Sequence, residues 1–355
     1  QENAFSRRSS WSSAEMELDI MLESKVGPAA IKELGLLAEG YGFRAFWVQN
    51  YARAPDPFMS AVPLAAAAKR IRVGVVAVSA YEMHPLKICN SLLTLNELCA
   101  GGAGLVLGGG GEWPGVMQVP LGKRITGARE AIEIIKRAAT EDFLSYSGEV
   151  YSARGFSTGW ATKKEPPLVY SGSTGPKMIK MGVGVADGLM MSDIQPEMFD
   201  WPLPHLQSAL AERPPELPPF RVSTFLAWHV KEDAAASYAE ARRELMIRGW
   251  LERQWVEPYL SPEDAEAVLA DTRPFLTAFR QRHGNIQGVD PAVVQSLAEG
   301  LSCAGGVDTL DAHIERLLKF KAAGFTELSM GLQDDPAESI HMLGERVLPA
   351  IRDAA

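Results

Sequence analysis

The sequence is poor in cysteine, and it lacks any long, uninterrupted run of apolar residues. Its 355 residues include only three cysteines, Cys89, Cys99 and Cys303, too few to build a disulfide framework. None of them stands in the Cys-x-x-Cys spacing of a metal site, so we expect reduced thiols in a cytoplasmic protein. No apolar run approaches the roughly 20 residues of a membrane helix, which excludes that class of membrane protein.

Basic residues and several well-known motifs are also scarce. Lys and Arg total 35 against 44 Asp and Glu, a formal net charge of −9 that argues against a nucleic-acid partner. It still permits a small anionic ligand held by backbone N–H groups. The six histidines are scattered, without the spacing of a metal site, so we predict no metal. Neither a G-x-S-x-G elbow nor a P-loop motif occurs, so nucleophilic hydrolysis has no support and a P-loop is excluded.

Short apolar segments alternate with helical patterns along most of the chain. Apolar residues make up 46% of the sequence and charged residues 22%, the balance of a globular protein with a large core. The predicted strands are eight segments, residues 17–22, 43–48, 71–78, 103–107, 167–171, 188–191, 220–230 and 325–330. Their alternation with helices implies parallel pairing and burial on both faces. We therefore predict an α/β protein with one (β/α)8 TIM barrel domain over 16–355; the alternative is an open, doubly wound sheet.

Three stretches depart from this alternation. Residues 1–15 are polar and contain no apolar signal-peptide core, so we expect a disordered leader, native or added. Residues 195–219 hold seven of the 23 prolines, a composition that predicts a rigid, mostly extended linker or cap. Residues 232–300 read as helical and charge-rich. Together these last two predict a helical insertion at about 195–300, late in the barrel.

Four consecutive glycines, Gly108 to Gly111, follow the predicted strand 103–107 directly. Backbone without side chains lets a flat or phosphorylated ligand approach closely. Gly109, Gly110 and Gly111 are therefore candidate ligand contacts, and the alternative is a flexible turn. Glu112 comes next, at the strand end where barrel enzymes place catalytic groups; the alternative is a solvated carboxylate.

A second candidate site lies in the stretch SGSTGPKM, residues 171–178. A strand ends there, and Pro176 marks the start of a helix. We expect the N–H groups of Ser173, Thr174 and Gly175 to point outward from the positive end of that helix, with Lys177 as a further donor. Such a group of donors suits a phosphate. The alternative is that a hydroxyl of this stretch serves only as a helix cap.

Two other stretches follow predicted strands. In WVQNY, residues 47–51, an aromatic ring and an amide could line a pocket, although Trp47 could equally pack in the core. In SAYEMHP, residues 79–85, His84 directly precedes Pro85. The simplest interpretation of His84 is a residue at a helix N-terminus, without chemistry of its own.

These pieces in this order resemble the luciferase-like flavin and deazaflavin (coenzyme F420) oxidoreductases. The resemblance is closest to the branch that contains methylenetetrahydromethanopterin reductase and F420-dependent glucose-6-phosphate dehydrogenase. The matching stretches are residues 35–50, 69–85, 95–112, 167–192 and 306–353. The strand followed by GGGGE and the GPKM…ADG stretch are together the most specific of them, whereas residues 195–300 match poorly.

The resemblance implies a cofactor site that can be placed residue by residue. Family members carry a non-prolyl cis peptide behind the deazaflavin ring, which falls at about Val76-Ala77 here. It further implies that the backbone amides of residues 173–175 hold the cofactor phosphate and that Gly109 and Gly111 face the cofactor. A carboxylate of the sugar-phosphate branch matches Glu112. Relatives often form homodimers, so we expect a homodimer that acts on a small-molecule substrate.

The chain also departs from the family pattern. Many relatives carry Asp-His after the second strand, where this chain has Asn50 and Tyr51. We expect Asn50 and Tyr51 to lie near the polar edge of the cofactor ring as catalytic residues together with Glu112. Tyr51 or Glu112 would then supply the proton that the family histidine is proposed to handle. The Arg-Gly-Trp-like stretch of FMN-using relatives lacks its Arg here, which favours coenzyme F420. We predict an F420-dependent oxidoreductase; the alternatives are an FMN-dependent monooxygenase and a non-catalytic cofactor-binding barrel.

Overall fold

Eight parallel strands close into a barrel. The computed structural model describes residues 16–162 and 165–354, so the predicted leader lies outside the described residues. The barrel strands are Glu17–Glu23 (β1), Ala45–Gln49 (β2), Arg72–Ser79 (β3), Ala103–Gly108 (β4), Leu168–Gly172 (β7), Gly188–Ser192 (β8), Arg221–Ala227 (β9) and Glu327–Leu332 (β10). Their order around the barrel is β1-β10-β9-β8-β7-β4-β3-β2, and every neighbouring pair is parallel. The TIM barrel prediction is confirmed, and the open sheet is excluded.

Each predicted strand overlaps a barrel strand, because strands buried on both faces have near-continuous apolar sequence. Residues 140–167 contain two strands that the sequence analysis missed, Leu144–Ser147 (β5) and Ser152–Phe156 (β6). They pair as an antiparallel hairpin outside the barrel. Most of their residues are exposed or half-buried, so they carry no continuous apolar run for such a search to find.

Helices cover the outside of the barrel. They are Pro28–Tyr41 (α1), Pro57–Ala67 (α2), Pro85–Leu98 (α3), Glu112–Met117 (α4), Arg124–Ala138 (α5), Pro176–Val185 (α6), Pro202–Ala211 (α7), Ala234–Arg243 (α8), Arg253–Val256 (α9), Pro262–Ala270 (α10), Arg273–Gln281 (α11), Pro291–Leu301 (α12), Leu310–Ala322 (α13), Pro336–Met342 (α14) and Leu348–Asp353 (α15). Many begin at proline, which suits the first helical position because its missing N–H would be unpaired there anyway. Within the described residues, no helix combines the length and the apolar character needed to cross a membrane.

The prediction of an extended stretch over residues 195–219 is wrong. Ten of these residues form α7, which starts at Pro202 and packs Leu203 and Leu206 into the core. Proline at the start of a helix does not oppose helix formation, so proline count alone was misleading. The segment from α8 to α12 is helical as predicted, and it follows β9 rather than forming one block with α7.

The lower interior of the barrel is filled by Trp47, whose side chain is fully buried. Gly74 and Gly104 make room for its indole, because a Cβ atom at those positions would lie 2.2 Å and 2.8 Å from ring carbons. The indole N–H donates a 2.8 Å hydrogen bond to the carboxylate of Asp19. Trp47 therefore belongs to the core rather than to a ligand pocket.

Beside this indole lies a group of buried charges. Arg44 contacts the carboxylates of Asp19, at 2.5 Å, and Glu327, at 3.0 Å, and both acids are fully buried. Glu327 also accepts hydrogen bonds from Arg221, at 2.7 Å, and from the Tyr170 hydroxyl, at 2.9 Å. Burial raises the pKa of Asp19, with Arg44 opposing that rise and Glu327 adding to it. Arg44 thus compensates two carboxylates that water does not reach.

We predict that R44M destabilises the protein by about 3–5 kcal/mol, because it leaves a buried carboxylate without its partner. The raised pKa of Asp19 should rise further in the variant, so the folded state would bind a proton more tightly. The loss in free energy of unfolding, relative to the wild type, should therefore be largest near neutral pH and should shrink as the pH falls towards about 5. Urea unfolding followed by circular dichroism measures this.

The matched control is R253M, since Arg253 forms only exposed ion pairs with Glu257 and Glu266. It should change the free energy of unfolding by less than about 1 kcal/mol. Equal effects of the two variants would show that the buried charges are not specifically stabilised by Arg44.

Candidate active site

A cleft of about 970 Å³ opens at the carboxyl ends of the barrel strands. Its walls come from the ends of β3, β4, β7, β8 and β9, from the segment before α5, and from Trp250. A volume of this size is within the usual range for a cofactor or drug-sized ligand. The cleft lies at the end of the barrel where enzymes of this fold place their active sites.

The wall formed by β3 contains an irregularity. The peptide bond between Val76 and Ala77 is cis, as the family resemblance implied, and the pairing of β3 with β4 shifts register there. Both residues line the cleft. Asn50 holds this bulge from β2, because its backbone N–H donates to the Val76 carbonyl, at 2.7 Å, and its side-chain amide to the Ala77 carbonyl, at 3.1 Å.

The side chain of Asn50 is occupied by further contacts on its other side. Its amide N–H₂ also donates to Glu82, at 2.8 Å, and its amide oxygen accepts from the Trp113 indole, at 2.9 Å. Asn50 is not among the residues that line the cleft. It therefore lies behind the wall and supports it, which differs from the direct catalytic position that we expected.

Glu82 is a site residue that the sequence analysis missed. It accepts hydrogen bonds from the Ser79 N–H, at 2.6 Å, and from Asn50, so it closes the turn after β3. Burial raises the pKa of Glu82, although these hydrogen bonds act in the opposite direction. The residue stands in the SAYEMHP stretch, two positions before His84. The imidazole of His84 accepts a hydrogen bond from the Leu86 N–H and caps α3, as the simpler interpretation held.

The glycine run forms the rim of the cleft after β4, and all four of its residues line it. Gly110 has a φ of 108°, a conformation that favours glycine. A Cβ at Gly111 would meet nothing within 4 Å, so this part of the rim is open. A ligand can therefore approach the main chain here.

At the start of α6 the structure corrects part of our prediction. The N–H of Ser173 does not point outward, since it donates to the Met190 carbonyl at 3.1 Å. Its hydroxyl lies 2.5 Å from that of Ser171. Among the described residues, the amides of Thr174 and Gly175 have no protein acceptor. Of the three amides that we expected to face a ligand, two are therefore available, at the positive end of a ten-residue helix.

The cation at the cleft also differs from the one that we predicted. Lys177 is exposed and does not line the cleft, whereas Arg124 and Lys123 do. Arg124 donates to the Gly109 carbonyl at 3.0 Å, and Lys123 forms an ion pair with Glu149. Both basic residues directly precede or begin α5, and their place in the chain gave no signal that they would reach the glycine rim.

Glu112 and Tyr51 lie beside the cleft rather than in its walls. Glu112 is exposed at the first position of α4, and one carboxylate oxygen accepts from the Ala52 N–H at 3.0 Å. The hydroxyl of Tyr51 lies 3.5 Å from the Gln49 amide. Burial, together with the carboxylate of Glu23, raises the pKa of Tyr51 far above its ordinary value. Tyr51 therefore keeps its proton near neutral pH.

Apolar side chains line the part of the cleft formed by β8 and β9. They are Met190 and Phe225, with Trp250 as the contribution of the late helical segment; the side chain of Met191, one residue further on in the strand, is buried in the core on the other face. No group of three or more metal-ligating side chains occurs among the described residues. The cleft thus joins a main-chain wall, suited to a flat anionic cofactor, to an apolar wall.

Comparison with known proteins places the chain in a family. The model of the luciferase-like monooxygenase family matches residues 9–327, and the chain belongs to this family. The resemblance noted in the sequence is therefore confirmed.

Particular relatives point to one branch of the family. The chain is 26% identical over 324 residues to 5,10-methylenetetrahydromethanopterin reductase of Archaeoglobus fulgidus, covering 89% of this chain and 94% of that protein. It is 24% identical over 355 residues to F420-dependent glucose-6-phosphate dehydrogenase of Nakamurella multipartita, covering 92% and 93%. The solved coenzyme F420-dependent tetrahydromethanopterin reductase of Methanopyrus kandleri superimposes with a TM-score of 0.80 at 22% identity, covering 95% and 100%. This last likeness confirms the fold.

The contacts of Asn50 predict how the chain responds to the Asp that many family members carry at its position. In N50D the new carboxylate would face Glu82 and the Ala77 carbonyl, both of which now accept hydrogen bonds from the amide. Two adjacent carboxyl groups would raise each other's pKa in the folded state, so stability is lost as the pH rises. We expect a loss of about 2 kcal/mol at about pH 8 and a smaller loss at about pH 5.

Thermal unfolding of N50D, E82Q and the double variant N50D/E82Q at both pH values measures this coupling. The double variant should recover most of the stability lost in N50D at the higher pH, because one of the two charges is gone. A loss that is independent of pH and not relieved by E82Q would contradict the arrangement.

Proposed function

We propose that the protein is an F420-dependent oxidoreductase that transfers a hydride between C5 of the deazaflavin and a small organic substrate. The observation that carries the proposal is the main-chain wall of the cleft: the Val76–Ala77 bulge, the glycine rim and the unpaired amides of Thr174 and Gly175. The relatives named above include F420-dependent enzymes over nearly the whole chain.

The residues present fit this cofactor. The amides of Thr174 and Gly175 at the start of α6 would hold its phosphate, as helix N-termini commonly do. Arg124, whose side chain reaches the glycine rim at Gly109, would add a positive charge for the anionic part of the molecule. The glycines after β4 leave space for a flat ring, and Val76 and Ala77 would support the ring from behind.

When bound, coenzyme F420 supplies or accepts the hydride, and the protein supplies orientation and proton handling. We propose Glu112 as the group that moves the proton, since among residues 16–162 and 165–354 its carboxylate accepts a hydrogen bond at one oxygen only, from the Ala52 N–H. Tyr51 would serve as a hydrogen-bond donor rather than as a base, because its pKa is raised. Asn50 would act by holding the bulge in place.

An FMN-dependent monooxygenase is the second candidate, because the family that matches the chain takes its name from such enzymes. The same phosphate donors and glycine rim would accept FMN. From the small number of unpaired cysteines we further propose a cytoplasmic location, and from the resemblance alone a homodimer.

The contribution of the Gly175 amide can be tested by a substitution that removes its N–H. Gly175 has φ −77° and ψ 150°, which proline can adopt, and a Cβ at this position meets nothing within 4 Å. G175P removes the N–H, whereas G175A keeps it. We predict that G175P weakens binding of coenzyme F420 by about 10- to 100-fold, the usual loss for a hydrogen bond to a charged group. G175A should stay within about twofold.

A fluorescence titration of each variant with coenzyme F420 measures this, and the ribityl deazaflavin that lacks the phosphate is the control ligand. G175P should bind this phosphate-free deazaflavin as the wild type does. If G175P binds coenzyme F420 normally, the phosphate does not lie at α6; if the wild type does not bind coenzyme F420 at all, the proposed function is wrong.

The role of Glu112 is tested by E112Q, which keeps an oxygen for the Ala52 N–H but cannot carry the proton. We predict that kcat falls by about 10²- to 10⁴-fold, with the affinity for coenzyme F420 unchanged. The assay follows oxidation of the reduced coenzyme with the best acceptor from a panel of small ketones, aldehydes and imines. A kcat within about twofold of the wild type would assign Glu112 only a structural role between the two loops.

A further inference from the structure

Trp250 combines two unusual features. It lines the cleft, yet its side chain is 63% exposed, the second most open aromatic side chain among the described residues. Its backbone has φ 56°, and its neighbours Gly249 and Leu251 have φ 54° and 51°. A left-handed conformation is unfavourable for a bulky residue. Such backbone persists where the surroundings impose it, and it is often found at ligand sites.

The left-handed segment from Gly249 to Leu251 is held in place by contacts of the residues around Trp250, not by the Trp250 side chain. Arg248 forms a buried 2.6 Å ion pair with Asp193, the residue directly after β8. The indole of Trp255 donates to the Asp193 carbonyl at 3.2 Å and leaves no room for a Cβ at Gly249. Leu251 is buried. The protein therefore fixes the backbone on both sides of Trp250 and leaves its ring uncovered over the cleft.

The part of the cleft that Trp250 lines is mainly apolar. Phe225, on β9, lies opposite Ser192 in the register with β8, and the Arg248 guanidinium lies 6.0 Å from the centre of its ring. Met190 comes from the same end of β8, and its side chain packs in the cluster inside the barrel. The charges beneath this wall, Asp193 and Arg248, are paired with each other. Thioethers and aromatic rings make favourable contacts with flat, unsaturated rings.

We propose that Trp250 recognises the substrate, and that the substrate carries a flat, uncharged, unsaturated ring bound against its indole and the apolar wall of β8 and β9. This rests on the proposed function, which assigns the main-chain wall to the cofactor and leaves the apolar wall to the substrate. Trp250 contributes binding rather than chemistry, and the strained turn keeps its ring available.

Calorimetric titration with menadione, a flat naphthoquinone, and 1-decalone, a saturated bicyclic ketone, tests the proposal in the presence and absence of coenzyme F420. We expect the wild type to bind menadione at least about tenfold more tightly than 1-decalone. W250A should lose about tenfold in menadione affinity, whereas W250F should stay within about threefold. The control is W160A, because Trp160 is also exposed but does not line the cleft.

A second variant separates recognition from a structural role. W250G relieves the left-handed backbone and removes the ring, so it should unfold at the same or a higher temperature than the wild type while losing menadione affinity. A lower unfolding temperature would mean that the indole stabilises the fold and would overturn the proposal. So would unchanged menadione affinity in W250A, or a change of oligomeric mass in W250A without a change in affinity.

Failure of this inference is distinguishable from failure of the proposed function. All Trp250 variants should bind coenzyme F420 as the wild type does. If they do and menadione affinity is insensitive to Trp250, the recognition role is wrong and the cofactor assignment stands. If the wild type binds menadione through Trp250 but not coenzyme F420, the cofactor assignment is wrong.

Discussion

Closure of eight parallel strands is the constraint on which the rest of the structure depends. In such a barrel every strand ends at the same rim, so loops far apart in sequence meet there. β4 and β7 are neighbours although the β5–β6 hairpin separates them in the chain. The glycine rim after β4 and the helix start after β7 therefore face one cleft, and the bulge in β3 lies next to them.

The two ends of the barrel differ in the residues that fill them. At the amino end, Trp47 and the charges around Arg44 fill the interior, with buried carboxylates compensated by arginine and tyrosine. At the carboxyl end, the cleft presents main-chain groups and apolar side chains. Packing of the amino-end layer fills the barrel below the cleft, and the cleft opens at the carboxyl-end rim.

Much of the fold could be predicted from the sequence because the strands are buried on both faces and the helices start at proline. The bulge at Val76–Ala77 followed from the family resemblance. The sequence could not show which N–H groups and basic side chains face the cleft, because that depends on their hydrogen-bond partners in the folded protein. The Ser173 amide is occupied by the Met190 carbonyl of the neighbouring strand, and Arg124 rather than Lys177 reaches the cleft. The exposed position of Trp250 at the cleft could not be predicted from the sequence. It depends on a left-handed backbone conformation next to Arg248, which pairs with Asp193, a residue far away in the chain.

We infer that the main-chain wall binds a flat, phosphate-bearing cofactor and that this cofactor is the deazaflavin of the F420-dependent relatives. Equilibrium binding of coenzyme F420 and of FMN to the cofactor-free protein, measured side by side and in competition, distinguishes the two cofactors. We predict saturable binding of coenzyme F420 with a dissociation constant at least about tenfold below that of FMN. Tight binding of FMN with no measurable binding of coenzyme F420 would contradict it.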